Sequence, residues 1–448
     1  LTGSDTNPGT EAAPLKTIQK AVTLATAGKT VLIKAGVYQN ELANCSGATC
    51  TFVRVDNSGT AANPIVIKAY GNGPVTLRGL GFRDTDTDND GLADGPLNPS
   101  KREKLLDIRG NYVYVSDLEF TNSQQMGIEI NGSFNKVENV VSHDNWSTNI
   151  AIGSSVPGKV EGNLVRYAET YRSRSSNGIA LQRPDPITDV VTRNIVEYSL
   201  AYENGRRSDG TRMIPSLGDV AGGGNSDGMG SAKGCSDYPT FNSSFPYSNA
   251  CPKNIFRYNF MFKNSDDGVD MSHADSLLER NISFGNGGAA GGGKGYKVLR
   301  NVDGNTYVNN IAYANADRGF DLRVSNLKFF NNLALSNGGQ GIQGASGDSL
   351  MRNNIAFGNS LNDFPVTSAC LGCSNNWIGD KTGAALSGDP KLDNSLLFKN
   401  SQGEIVVSMP QSGTIAEKWN WLDNRFKSAF ALQSSSGAIN AGTAISFV

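Results

Sequence analysis

Three aspartates fall within five residues in Asn264-Ser-Asp266-Asp267-Gly-Val-Asp270, and a related segment, Asn225-Ser-Asp227-Gly228, stands upstream. If the fold stacks Asp227 beside the other three, four carboxylates repel strongly unless a cation joins them. Hard oxygen donors in that number suit Ca²⁺. Next in the chain comes Gly293-Lys294-Gly295-Tyr296-Lys297. A lysine beside a divalent cation has a specific use, because the cation disfavours the ammonium form and lowers its pKa from an ordinary value of about 10.4. Neutral lysine can then take a proton from a carbon next to a carboxylate. The same cation, bound to the substrate's carboxylate, stabilises the enolate-like charge that develops. That pairing describes β-elimination on a uronic acid polymer. On the residues alone, Lys294 and Lys297 are both candidates, and a solvated acidic turn beside ordinary surface lysines is the competing reading.

A second acidic run, Asp86-Thr-Asp88-Asn-Asp90-Gly91-Leu-Ala-Asp94, resembles the DxDxDGxxD loops of thrombospondin-type and dockerin-like calcium sites. Gly91 permits the sharp turn, and the alternating aspartates face one ion. Leu97 stands where an EF-hand needs its glutamate, which argues against a complete EF-hand. The expected role is structural, stiffening an insertion near residues 84–95.

Something must hold these side chains in place, and an internal repeat points to it. Asn259-Phe-Met-Phe-Lys-Asn264 recurs as Asn281-Ile-Ser-Phe-Gly-Asn286, Asn310-Ile-Ala-Tyr-Ala-Asn315, Asn332-Leu-Ala-Leu-Ser-Asn337 and Asn354-Ile-Ala-Phe-Gly-Asn359, at steps of 22, 29, 22 and 22 residues. Weaker copies begin at Asp117, Val140, Asn163 and Ser199. Each copy alternates apolar and other residues over a few positions, the mark of a half-buried strand. Strands so short cannot bury their inner faces alone; stacked as coils they share one apolar interior. Asn at a fixed place in each coil can stack as a ladder. The expected fold is therefore all-β, a right-handed parallel β-helix with coils of about 22 residues. The period breaks between Ser199 and Asn259, and again at the glycine-rich stretch from Gly287 to Gly295. In solenoids such insertions map to loops, often on the binding face. Residues Lys16 to Thr26 have the spacing of a short helix that caps the open apolar end, followed by a first strand over Thr30–Tyr38. Residues 1–388 are read as the catalytic β-helix with its N-terminal cap, and residues 389–448, where the repeat is lost, as a C-terminal cap packed on it.

Composition narrows the classes. A formal net charge of -2 argues against a nucleic-acid binder. No run of apolar residues is long enough for a transmembrane helix. Only two histidines, His143 and His273, are present, which disfavours mechanisms built on histidine. The six cysteines pair closely in sequence as Cys45/Cys50, Cys235/Cys251 and Cys370/Cys373, as local disulfides do in exported proteins. The chain begins at Leu1, and a secreted protein whose signal peptide has been removed is the expectation. A capped solenoid is expected to be a monomer.

The order DG, DDGxD, GxGxK on a β-helix resembles the family nine polysaccharide lyases, the pectate-lyase-like group, most clearly from Asn225 to Asn359. The resemblance implies that Asp227, Asp266, Asp267 and Asp270 hold a catalytic Ca²⁺ and that Lys297 is the base. It implies an anionic polysaccharide substrate, with pectate the first expectation. This chain departs from the family at Val269, where an aromatic is common, and at Val298-Leu-Arg300, where glycines often follow the lysine. Arg300, Arg318, Arg323 and Lys233 are candidates to meet substrate carboxylates. Two other readings are a β-helix glycoside hydrolase using two of the aspartates and a non-catalytic carbohydrate-binding β-helix.

Overall fold

The computed structural model describes residues 3–41, 45, 49–83, 95–96, 102–153, 158–182, 190–206, 226–231, 253–287, 292–298, 304–322, 326–344, 349–363, 376–378, 405–410 and 412–430. Its strands stack in parallel as a β-helix. Thr30–Gln39 pairs with Ile65–Arg78, and the same face continues through Lys136–His143 and Leu164–Tyr171 to Trp377–Ile378. A second sheet of ten strands climbs another face, from Thr49–Val55 to Ile342–Gln343. Inward-facing residues of successive coils in that sheet, Ile150, Ile179, Met229, Val269, Tyr296, Phe320 and Ile342, are all buried. Tyr296 stacks on Phe320 with ring centroids 4.7 Å apart. This apolar column fixes the outward residues that flank it.

The 60-residue step between Ser199 and Asn259 does not disturb the stacking, since Leu200–Tyr202 pairs directly with Phe260–Phe262.

The asparagines do form ladders. Asn259, Asn281, Asn310, Asn332 and Asn354 stand in one column, and each Nδ2 donates to the Oδ1 of the asparagine one coil on, at 2.9–3.1 Å. A second column runs through Asn204, Asn264, Asn286, Asn315, Asn337 and Asn359. The residue before each member of the first column, from Tyr258 (φ 57°) to Asn353 (φ 56°), adopts the left-handed conformation that turns the corner. That conformation is unfavourable for residues other than glycine, and the ladder bonds offset it. Asn310→Ala is expected to orphan the Asn281 amide and to take one bond from the Leu278 carbonyl and one from Asn281 Nδ2, which keeps its bond to the Phe256 carbonyl. The orphan costs about 1–3 kcal/mol, so the urea midpoint should fall clearly while strand content is retained. An unchanged midpoint would show that the ladder adds nothing to stability.

Helix Ile18–Leu24 caps the N-terminal end by burying Ile18 and Val22, and the Thr17 side chain accepts from the Lys20 amide. The strand after it runs over Thr30–Gln39, as expected. In its described part the C-terminal tail lies along the flank of the solenoid rather than over its end. Helix Ile415–Ala429 buries Ile415, Trp419, Leu422 and Phe426 against Phe260, Phe284 and Tyr313 of successive coils. Lys418 pairs with Glu169 at 2.8 Å, and Trp419 Nε1 donates to the Tyr258 carbonyl at 2.5 Å.

Candidate active site

Six coils of the ten-stranded sheet carry one tetrad: Asn177-Gly-Ile-Ala180, Asp227-Gly-Met-Gly230, Asp267-Gly-Val-Asp270, Lys294-Gly-Tyr-Lys297, Arg318-Gly-Phe-Asp321 and Gln340-Gly-Ile-Gln343. The strand register stacks them coil on coil. The apolar third residue turns inward. The fourth therefore points outward, and the first, in the turn before the strand, comes alongside it, as the meeting of Asp267 and Asp270 oxygens shows. Glycine is required between them: a Cβ on Gly268 would lie 1.9 Å from Ser283 Oγ and 2.8 Å from the Gly295 carbonyl.

Two mechanisms fix the aspartates. Along the first column each side chain accepts from the next coil's backbone. The Asp227 amide donates to Asn177 Oδ1 at 3.4 Å, the Asp267 amide to Asp227 Oδ1 at 3.0 Å, and the Lys294 amide to Asp267 Oδ1 at 2.6 Å. The glycine-rich stretch clamps Asp266, whose Oδ1 accepts from the Gly292 and Gly293 amides at 2.7 and 3.2 Å. A Cβ on Gly292 would lie 2.8 Å from that oxygen, so glycine permits the close approach. The sequence reading placed this stretch among the loops; its described part holds an acidic side chain in position.

Asp227, Asp267 and Asp270 each bring an oxygen within 4.8 Å of the others. Asp266 stands beside this trio, buried, with one oxygen committed to the glycine amides. Lys297 Nζ donates to Asp270 Oδ2 at 2.7 Å and lies 3.3 Å from Asp267 Oδ2. Lys294 Nζ sits further off, 3.9 Å from Asp267 Oδ1 and 3.5 Å from Asp317 Oδ2. Of the two lysines the structure therefore brings Lys297 to the trio's heart.

Electrostatics follow from burial. Loss of water, with repulsion from Asp270, Asp267 and Asp266, pushes Asp227 well above the usual carboxylate range. Burial and Asp266 push Asp267 up to about 7, against the pull of Lys297 and Lys294. Burial lowers the pKa of Lys297, but Asp270 and Asp267 outweigh it and hold the lysine above its ordinary value. Asp270 Oδ1 is buried and receives no hydrogen bond, and Asp267 Oδ2 is met by the Lys297 ammonium at 3.3 Å. Oxygen donors this close, with one of them orphaned, fit a hard divalent cation. The same carboxylates, left unengaged, keep Lys297 protonated.

Arg318 lies one coil beyond Lys297, paired with Asp317 at 3.0 Å and 3.5 Å from Asp321. The histidines are engaged elsewhere: His143 pairs with Glu119 and Asp144, and His273 is wholly buried with Nδ1 3.2 Å from Asn254 Nδ2. Cys45 and Cys50 form a disulfide. Lys233, Arg300, Arg323, the loop aspartates Asp86, Asp88, Asp90 and Asp94, and Cys235, Cys251, Cys370 and Cys373 lie outside the described residues.

Fold and site together define a parallel β-helix with a buried acidic cluster beside a lysine. The family model described as the Pel9A-like right-handed β-helix region matches residues 1–354, and the chain belongs to that family. It is 30% identical to pectate lyase PEL9 of Emericella nidulans over 172 residues, which is 38% of this chain and 38% of that relative. It is 25% identical to pectate lyase L of Dickeya dadantii over 98% of this chain and 84% of that protein. The crystal structure of pectate lyase Pel9A superposes with a TM-score of 0.52 and 20% identity, covering all of this chain and 91% of that one.

Proposed function

We propose that the chain is a secreted, calcium-dependent polysaccharide lyase that cleaves an acidic polysaccharide, pectate first among candidates, by β-elimination. One observation carries the reading: Lys297 Nζ lies within 3.3 Å of two carboxylates, Asp270 and Asp267, of the cation-binding trio. Asp227, Asp267 and Asp270 hold the cation, with Asp266 as the fourth ligand through its second oxygen. A bound divalent cation there supplies positive charge that engages the substrate's carboxylate and makes the neighbouring carbon more acidic.

The rest belongs to the chain. With its carboxylate partners engaged, Lys297 loses the attraction that kept it protonated. Its free amine takes the proton from the carbon next to the uronate carboxylate. The electron pair of that C–H bond forms a double bond, and the glycosidic C–O bond one carbon on breaks. The departing oxygen acquires a proton and becomes a hydroxyl, leaving an unsaturated sugar at the new end. In this reading Arg318, which pairs with Asp317 at 3.0 Å, meets a second substrate carboxylate one coil along. The names of the relatives favour polygalacturonate as the polymer. The Cys45–Cys50 disulfide supports an oxidising, extracellular setting. Arg300, Arg323 and Lys233 are proposed as further substrate contacts, the 86–94 loop as a structural calcium site, and the monomer as the working unit.

The test mixes the protein with polygalacturonate and other uronate polymers, with and without EDTA, and follows the ultraviolet band of unsaturated uronates. The band should grow, vanish with EDTA and return with Ca²⁺. New reducing ends without the band would mean a hydrolase; binding without turnover would mean a carbohydrate-binding protein.

A further inference from the structure

A row of polar side chains crosses four successive coils on the outer face of the nineteen-stranded sheet. Thr76, Glu119, His143 and Tyr171 lie on strands that pair in that order. Ser142 is buried and turns inward, so His143 beside it points out. Its ring stacks on Tyr171 with centroids 4.6 Å apart. The imidazole keeps 13% of its surface, enough for protons to exchange with water.

Both ring nitrogens face carboxylates. Nε2 lies 2.9 Å from Glu119 Oε1, and Nδ1 lies 2.7 Å from Asp144 Oδ2. Thr121 Oγ1 is further off, 3.5 Å from Nδ1. A neutral imidazole has one N–H, so it can donate to one carboxylate and must turn a lone pair on the other. Only the imidazolium donates to both. The two acids differ in their other partners. Arg172 Nε and Nη2 donate to Asp144 at 3.0 and 2.7 Å, and Arg174 Nη2 at 2.8 Å. Glu119 has the Thr76 hydroxyl and the nearby charge of Arg78, but no guanidinium bond among the described residues. Burial opposes the charge on His143, yet Asp144 and Glu119 outweigh it and hold the pKa above the ordinary 6.5. Burial pushes the Tyr171 phenol well above its ordinary 10, so that neighbour stays neutral while His143 titrates.

We propose that His143 is a pH-sensitive clasp: as an imidazolium it bonds Glu119 and Asp144 at once and ties adjacent coils together, and loss of its proton frees Glu119. The folded pKa lies above the unfolded one, so the clasp contributes fully below about pH 6.5 and is lost as pH rises through the folded value. Under the lyase reading the same rise frees the Lys297 amine, so the enzyme gains rate and loses stability together.

The test uses the calcium-loaded full chain carrying isotope-labelled histidine, read by nuclear magnetic resonance. With only two histidines in the chain, the His143 signals are those missing from His143→Gln. Both His143 nitrogens should be protonated at about pH 7, and their titration midpoint should lie above about 6.5. Glu119→Gln should lower that midpoint by about half a unit, the size of one partly exposed charge pair. From about pH 6.5 to about pH 9 the melting temperature of the unaltered protein should fall more steeply than that of His143→Gln. A single protonated nitrogen at about pH 7, a midpoint at or below about 6.5, a midpoint unmoved by Glu119→Gln, or equal slopes in the two proteins overturns the proposal. If His143→Gln does not fold, Glu119→Gln identifies the signals by their shift and the midpoint decides.

Discussion

Replacing Lys297 with alanine is expected to lower kcat/KM on polygalacturonate by about 10²–10⁴-fold, the range for removing a general base. The geometry makes the expectation specific to this residue. Lys297 Nζ touches two carboxylates of the trio, whereas Lys294 Nζ comes no closer than 3.9 Å to Asp267 and is shared with Asp317. Lys294→Ala should therefore cost far less. Lys297→Arg should not rescue the rate, because a guanidinium keeps its proton and cannot act as a base. The pH profile has a definite sign. Asp270 and Asp267 raise the pKa of Lys297, and the active form is the deprotonated one. The rate should thus climb with pH to an alkaline optimum, later than a free lysine would give if cation engagement offsets the carboxylates only in part. A Lys297→Ala protein keeping more than a tenth of the rate, or a flat or acidic profile, would remove Lys297 from the role of base.

Which parts of this were visible in the chain depended on whether spacing survived folding unchanged. Asn259, Asn281 and Asn310 announced coils because a side chain that bonds its own copy must recur at every coil. The acid and lysine motifs were visible as chemistry, and the register places Asp270 directly opposite Lys297. What spacing hid was the distance between coils on the site's own face. Asp227 aligns with Asp267 across 40 residues, Asp267 with Lys294 across 27, and Lys294 with Arg318 across 24, as the register of their neighbours fixes. Insertions of different length break the period there, so the tetrads fall out of any fixed repeat. Their glycine was the missed signal: a polar residue, Gly, an apolar residue and an outward residue recur on coil after coil. The clamp on Asp266 was hidden for another reason. Backbone amides of Gly292 and Gly293 form it, and amides leave no trace in side-chain pattern. Loss of the repeat marked a capping segment from residue 389 on, but a lost repeat cannot say whether that segment covers an end or a flank; Trp419 packs on the flank, against Tyr198 and Phe260.

Chelation is expected to stop turnover and to lower the melting temperature, and the second effect should be much larger at pH 8 than at pH 5. Without a cation the trio is a source of instability. Asp267 is raised to about 7 in the fold, against about 3.9 in an unfolded chain. A carboxylate shifted upward binds its proton more tightly when folded, so the metal-free fold loses stability as pH rises from about 4 through 7 and stays low above it. Ca²⁺ at a hundredfold excess over its Kd adds about 2.7 kcal/mol, but below about pH 5 protons hold the same oxygens and the gain shrinks. Asp267→Asn separates this account from a purely structural one. The variant should lose activity and most of the calcium-dependent shift at this site, yet its metal-free form at pH 8 should be no less stable than the unaltered protein, because one repelling charge is gone while the amide oxygen can still accept from Lys294. Asp270→Asn should behave in the same way, losing the closer of the two carboxylate contacts to Lys297, at 2.7 Å against 3.3 Å. Differential scanning calorimetry at the two pH values, with EDTA and with Ca²⁺, reads all of these together. A melting temperature indifferent to Ca²⁺ at pH 8, or an Asp267→Asn protein that keeps both its activity and its calcium response, would mean that these carboxylates hold no cation.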